Sequence, residues 1–180
     1  MKRGRKPAID AADITRAAIA VADAEGLAAV SMARVAQELG NATMALYRHV
    51  KSKDELLALM SDSAMEDPPD LPEGDWRERL RFWAKAVLAG IGRHPWFPQV
   101  PISPPVGPHS LAWFDKGLGA LDGTPLEPDE KAGVVLTLMT YVHGEARSLT
   151  PGYEDGLAAR FDFGLHLFLE GVAAHIGGRT

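Results

Sequence analysis

The chain has 180 residues, 46% of them hydrophobic and 24% charged, with no cysteine and a net charge of −5. That length supports a substantial core in one or two domains, and the missing cysteines exclude disulfides and thiolate metal sites, as suits a reducing cytosol. No apolar run reaches the ~20 residues a membrane-spanning helix needs, and the basic start leads into Pro7 and an amphipathic stretch, not the apolar core of a signal peptide.

The overall charge argues against nucleic acid, but its distribution reverses that inference. Residues 1–53 carry nine Lys and Arg against five Asp and Glu, a balance of +4, whereas residues 54–180 stand at −9. A basic first part on an acidic remainder suits a DNA-contacting head joined to a separate body. The opening MKRGRKP reads either as a flexible arm able to follow phosphates or enter a minor groove, or as a solubilising tail. Asp10 is a suitable N-cap with Asp13 in the first turn. Ile14, Ala18, Val21 and Ala22 then form an apolar stripe that Gly26 ends.

In residues 31–57 the spacing predicts two short helices and the start of another. Ser31 caps the first, Met32, Val35, Ala36 and Leu39 share one face, and Gly40 stands where a left-handed residue ends a helix. The next helix is expected over 43–50, with Leu46 and Val50 inward and Thr43, Met44, Tyr47 and Arg48 outward. Helix, glycine turn, helix with an outward polar and aromatic face is a helix-turn-helix pattern. Ser52 to Glu55 reads as a capping box opening a fourth helix that runs to about 65, with Leu56, Leu59, Met60 and Ser63 on its inner face.

Residues 66–74, with three prolines and four acidic residues, read as a connector. A helix follows over 75–94, with Trp76, Leu80, Trp83, Val87, Leu88 and Ile91 as its stripe. Six prolines in 95–108 exclude a helix there. Helices are then expected over 110–121 (stripe Leu111, Phe114, Leu118, Leu121), 129–149 and 154–176 (stripe Phe161, Leu165, Phe168, Val172, Ile176), with Thr150-Pro151-Gly152 as a break. No strand alternation persists, so the fold class is all-α.

The run LG-x-x-x-MALYRHVKSKDELL from Leu39 to Leu57 resembles the DNA-binding signature of the TetR (tetracycline repressor) family of bacterial transcription regulators. Two positions depart from that pattern. Asn41 replaces an apolar turn residue, and Ala42 replaces the usual serine cap, leaving Asn41 or Thr43 to cap the helix. On this basis Asn41→Val is expected to stabilise the head. The resemblance implies that Thr43, Met44, Ala45 and Arg48 face base edges, with Arg48 suited to guanine and the others to thymine methyls. It places Tyr47, His49 and Lys53 at the phosphate backbone, with Ser31 a further candidate. Packing roles for Tyr47 and His49, and plain solvation for Lys53, are the simpler alternatives.

The resemblance further implies a three-helix head over 1–53 and a helical bundle over 54–180 that binds an effector and dimerises. Trp83, Val87, Trp96, Phe97, Trp113, Phe114, Met139, Tyr141 and His143 are the pocket candidates, although aromatic stripes at helical spacing are ordinarily core. His94 has a helix-end role as its alternative. A two-fold dimer would duplicate a half-site, and Phe161, Gly164, Leu165, Phe168, Gly171 and Val172 are the interface candidates. His143-Gly144-Glu145 has no cysteine pair to complete a deaminase zinc site, and metalloprotease, nucleophile-elbow and P-loop motifs are absent. The expectation is no enzyme, no cofactor and no metal. It is a cytoplasmic repressor binding a palindromic operator as a homodimer and released by a small molecule. The alternative is a helical ligand- or partner-binding protein with weakened DNA binding.

Overall fold

The structure, a computed structural model, describes residues 9–101, 107–148 and 156–178. Among them are eight α-helices and no strand. The basic arm, the 150–152 break and Glu154 lie outside the described residues. No helix is long and apolar enough to cross a membrane among the described residues.

The chain divides into two compact units, Met1–Ala64 and Met65–Thr180. The division falls a full helix later than the 53/54 boundary expected from sequence. The reason is that α4 (Lys53–Ala64) packs on α1 (Ala11–Glu25), burying Leu56 and Met60 with Ile14, Ala18 and Val21. Of the inner face expected for α4, Ser63 is exposed. Asp10 caps α1 through a complete capping box, its carboxylate accepting from the Asp13 N–H at 2.8 Å. Between α1 and α2 (Met32–Leu39) a single 3₁₀ turn spans Leu27–Ala29. Ser31 caps α2, accepting from the Arg34 N–H at 3.1 Å. The Arg34 guanidinium reaches back to Glu25 at 2.5 Å and along its own helix to Glu38 at 2.9 Å.

The second unit is built on α5 (Trp76–Gly92), α6 (Pro108–Ala120), α7 (Pro128–Arg147) and α8 (Leu157–Gly177). α7 is central, packing on α5, α6 and α8, which explains its apolar middle. Asp75 caps α5, and Leu80, Trp83, Val87 and Ile91 are buried as expected. The proline-rich stretch is not wholly irregular, because Phe97–Gln99 forms a 3₁₀ turn that proline tolerates near its start. The expected stripe of α6 holds only at its end, where Leu121 is fully buried. Leu111 is exposed and Phe114 only half-buried, while Trp113, Gly117 and Ala120 face inward. Gly117 permits a close three-helix approach, since a Cβ there would fall 2.9 Å from Val135 Cγ1 and 3.0 Å from the Trp83 ring. All four tryptophans belong to this unit, and Trp83, Trp96 and Trp113 are buried.

Candidate functional site

In the first unit Gly40 adopts the left-handed conformation (φ 62°, ψ 38°) at the end of α2. Its N–H donates to the Gln37 carbonyl at 3.1 Å, and the Asn41 N–H donates to the Ala36 carbonyl at 2.9 Å. This paired arrangement closes a helix end with its carbonyls satisfied. Asn41 adds a third bond, its Nδ2 donating to the Leu39 carbonyl at 3.0 Å. Asn41 therefore finishes α2 and does not cap the helix that follows. Thr43 does not cap it either. The N-cap of α3 (Thr43–Leu46) is Ala42, with no side-chain hydrogen bond.

α3 has four residues, not the eight expected from sequence. Beyond it the chain continues in turns, with the His49 and Val50 N–H groups donating to the Leu46 carbonyl at 2.9 and 3.0 Å. Leu46 and Val50 are fully buried and fix this segment. Met44 is 73% exposed and Tyr47 44% exposed. Arg48 and His49 are also exposed, while Thr43 and Ala45 are half-buried. The fourth helix opens with Ser52 accepting from the Glu55 N–H at 3.0 Å; the Glu55 carboxylate returns to the Lys51 N–H at 2.6 Å, one residue before the position a capping box uses.

The cations of this unit fall into two sets. Arg16 is paired with Asp13, and Arg34 is held by Glu25 and Glu38. Arg48, Lys51 and Lys53 are exposed and make no side-chain ion pair among the described residues. Those unneutralised charges and the exposed Met44 and Tyr47 lie within eleven consecutive residues that one short helix and one cap hold. Such a surface offers apolar and hydrogen-bonding groups beside cations, as contact with base edges and phosphates requires.

Among the described residues, the ring contacts and hydrogen bonds of the body candidates fall into three groups. Trp83 and Trp113 are joined, the Trp83 Nε1 donating to the Trp113 carbonyl at 2.9 Å, and Trp113 Nε1 donates in turn to the Glu66 carbonyl at 2.6 Å. Trp96, Phe97 and His143 form a second group, with ring centroids 5.8 Å apart at each step. His94 extends that row, at 5.3 Å from Trp96. Tyr141 instead pairs with Phe161, its hydroxyl donating to the Phe161 carbonyl. Val87 is buried; Phe114 and Met139 are half-buried. The His143 Nδ1 is a buried atom without a hydrogen-bond partner among the described residues, and burial, with Arg147 as a lesser cause, holds the imidazole below its ordinary pKa.

Of the interface candidates, Phe161, Leu165 and Val172 are buried within the chain, and Gly164 lies under the Tyr141 ring. Phe161, Gly164 and Leu165 therefore face into the chain and cannot be an outward face. The outward side of α8 carries Phe163 and Leu167, 63% and 54% exposed, together with Gly171, which is one of those candidates; Leu136 of α7 is exposed as well. Leu167, Phe168, Gly171 and Val172 line an open apolar groove of about 330 Å³ with Val134 and His175. No group of three or more potential metal ligands is present among the described residues.

Residues 14–60 match the family described as bacterial regulatory proteins, tetR family, and residues 68–157 match the tetracyclin repressor-like C-terminal domain. The chain is 43% identical over 150 residues to the HTH-type transcriptional repressor DrrR1 of Streptomyces coeruleorubidus, a match covering 81% of this chain and 56% of that protein. The chain thus spans little more than half the length of that relative. Among solved structures, apo ActR of Streptomyces coelicolor superposes with a TM-score of 0.86 at 24% identity, over 98% of this chain and 100% of that one. ActR in complex with actinorhodin gives 0.85 at 25% identity over the same shares.

Proposed function

The chain belongs to the TetR family of bacterial regulatory proteins, and from that premise we propose that it is a ligand-responsive DNA-binding transcriptional repressor. The observation that carries the reading is the surface over Thr43 to Lys53, where the exposed Met44 and Tyr47 stand with Arg48, Lys51 and Lys53, which make no side-chain ion pair among the described residues. Thr43, Met44, Ala45 and Arg48 face base edges in the major groove; Ser31, Tyr47, His49 and Lys53 hold the backbone. The name of its relative, a repressor, supports the sign of regulation.

The protein acts as a homodimer on a palindromic operator in the cytoplasm, each first unit reading one half-site. The dimer forms through Phe163, Leu167 and Gly171 of α8, an apolar strip whose exposure in the single chain asks for a partner. The effector is a small aromatic or amphipathic molecule held beside Phe97 and His143, where a buried ring nitrogen lacks a partner among the described residues. ActR, of similar fold, is a protein that binds actinorhodin, itself a small molecule. Release is a population shift: the effector prefers a body conformation whose paired heads no longer match the two half-sites. No cofactor and no catalysis are invoked.

A gel shift with duplex fragments from the promoter region upstream of its own coding sequence tests the reading. Retardation at low salt, weakening steeply as salt rises, is expected. No shift at low salt from an intact dimer would favour a ligand- or partner-binding protein with weakened DNA binding, a reading consistent with the uncapped start of α3.

A further inference from the structure

We propose that Met44 is a modification site, an oxidant-sensitive thioether whose conversion to the sulfoxide releases the chain from DNA. The inference rests on Met44 facing base edges. Among the described methionines, Met32, Met60 and Met65 are buried and Met139 is half-buried, while Met44 is 73% exposed. The chain has no cysteine to intercept an oxidant first. Exposure governs thioether oxidation, so peroxide reaching the free protein meets Met44 ahead of the other described methionines.

The chemistry balances with hydrogen peroxide as the oxidant. The Sδ lone pair attacks one peroxide oxygen, the O–O bond breaks, and an S–O bond forms. The departing hydroxide takes up the remaining proton as water. Sulfur is oxidised by two electrons and the peroxide is reduced by two. The product is a polar, chiral sulfoxide where an apolar methylthio group stood. Its oxygen is an acceptor only, so against thymine methyls it is desolvated without a partner, and near phosphates it meets like partial charge.

The device has a direction. Bound DNA covers Met44, so oxidation takes the unbound protein. The sulfoxide form rebinds weakly, and mass action then drains the bound pool. The sulfoxide is returned to the thioether by methionine sulfoxide reductases, one for each epimer, with a thiol reductant taking the oxygen off as water.

The test treats the full chain with dilute hydrogen peroxide and follows both modification and binding. Trypsin separates Met44 (peptide 35–48) from Met32 (peptide 17–34) and from Met139 (peptide 132–147), so mass mapping assigns the added oxygen. The expected result is that the 35–48 peptide gains oxygen first and that affinity for a promoter duplex falls roughly tenfold in step with it. Reductases of both epimer specificities with a reductant restore that affinity. In Met44→Leu the ratio of affinities before and after peroxide stays at one, whatever the variant's own affinity. The proposal is overturned if affinity is unchanged once that peptide is fully oxidised, or if the loss tracks another methionine. An untreated dimer that shifts no duplex sinks the DNA reading, and a shift that peroxide leaves intact sinks only the oxidation.

Discussion

Tyr141 on α7 donates its hydroxyl to the main-chain carbonyl of Phe161 on α8 at 2.9 Å, and the two rings stack with centroids 5.5 Å apart. Gly164 makes room for this pair, since a Cβ there would fall 2.8 Å from Tyr141 Cζ. Tyr141→Phe should cost about 1 kcal/mol of stability through the lost hydrogen bond. Gly164→Ala should cost more in the wild type than in the Tyr141→Phe background, because the hydroxyl it would strike is gone. A double-mutant cycle by urea denaturation reads that coupling; additive costs would mean that the two sites are independent.

Arg48→Ala should change which duplexes are preferred, with a cost of roughly 1–3 kcal/mol confined to particular base pairs. Lys53→Ala should weaken all duplexes alike and reduce the salt slope by about one. Affinities on a panel of single-base operator variants, each measured at several salt concentrations, separate the two. The opposite assignment of effects would refute the division into base-facing and backbone-facing residues.

Asn41→Val should lower the melting temperature, the reverse of what the turn pattern suggests. The substitution removes the donor to the Leu39 carbonyl at 3.0 Å, a loss of about 0.5–1.5 kcal/mol. Thermal melting checks the sign, and a rise would mean that apolar burial at this half-buried turn outweighs the bond.

Leu165 and Leu167 are two residues apart on α8, but the first is fully buried and the second 54% exposed. Leu167→Asp should leave the helical content intact and shift the sedimentation coefficient to that of a monomer. Leu165→Asp should unfold the body by placing an unpaired charge in its core. A Leu167→Asp variant that sediments as a dimer would place the interface elsewhere.

The buried His143 gives a pH dependence of definite sign. Its folded pKa lies below the ordinary 6.5, from burial first and Arg147 second. The unfolded chain therefore takes up a proton before the folded one, and stability falls as pH drops below 6.5. His143→Phe should flatten that part of the profile. Denaturation midpoints between about pH 5 and pH 7.5 measure it, the window in which an ordinary histidine titrates. An unchanged slope would show that other groups set it.

What the sequence made legible was local. The Asp10 cap, the Ser31 cap and the left-handed Gly40 each depend on a few neighbouring residues, and each formed as their chemistry requires. Where the reading slipped, the deciding partner was distant or had no signature. Residues 161 to 169 are apolar on two sides of one helix, so periodicity alone cannot separate the side meeting α7 from the side left outside. Tyr141 is held by a main-chain carbonyl, which any residue supplies. α3 is short because Leu46 and Val50 are satisfied by burial and turns, which serve as well as helix.

The tryptophans have an optical consequence. All four lie in the second unit, three of them buried, and the first unit carries Tyr47 as its sole tyrosine and no tryptophan. Excitation selective for indole therefore follows the unfolding of the body alone, whereas far-ultraviolet dichroism sees the helices of both units. Overlaying the two melts distinguishes one concerted transition from two successive ones. A compound that moves the indole melt while leaving an earlier dichroic step in place has bound the body without stiffening the head.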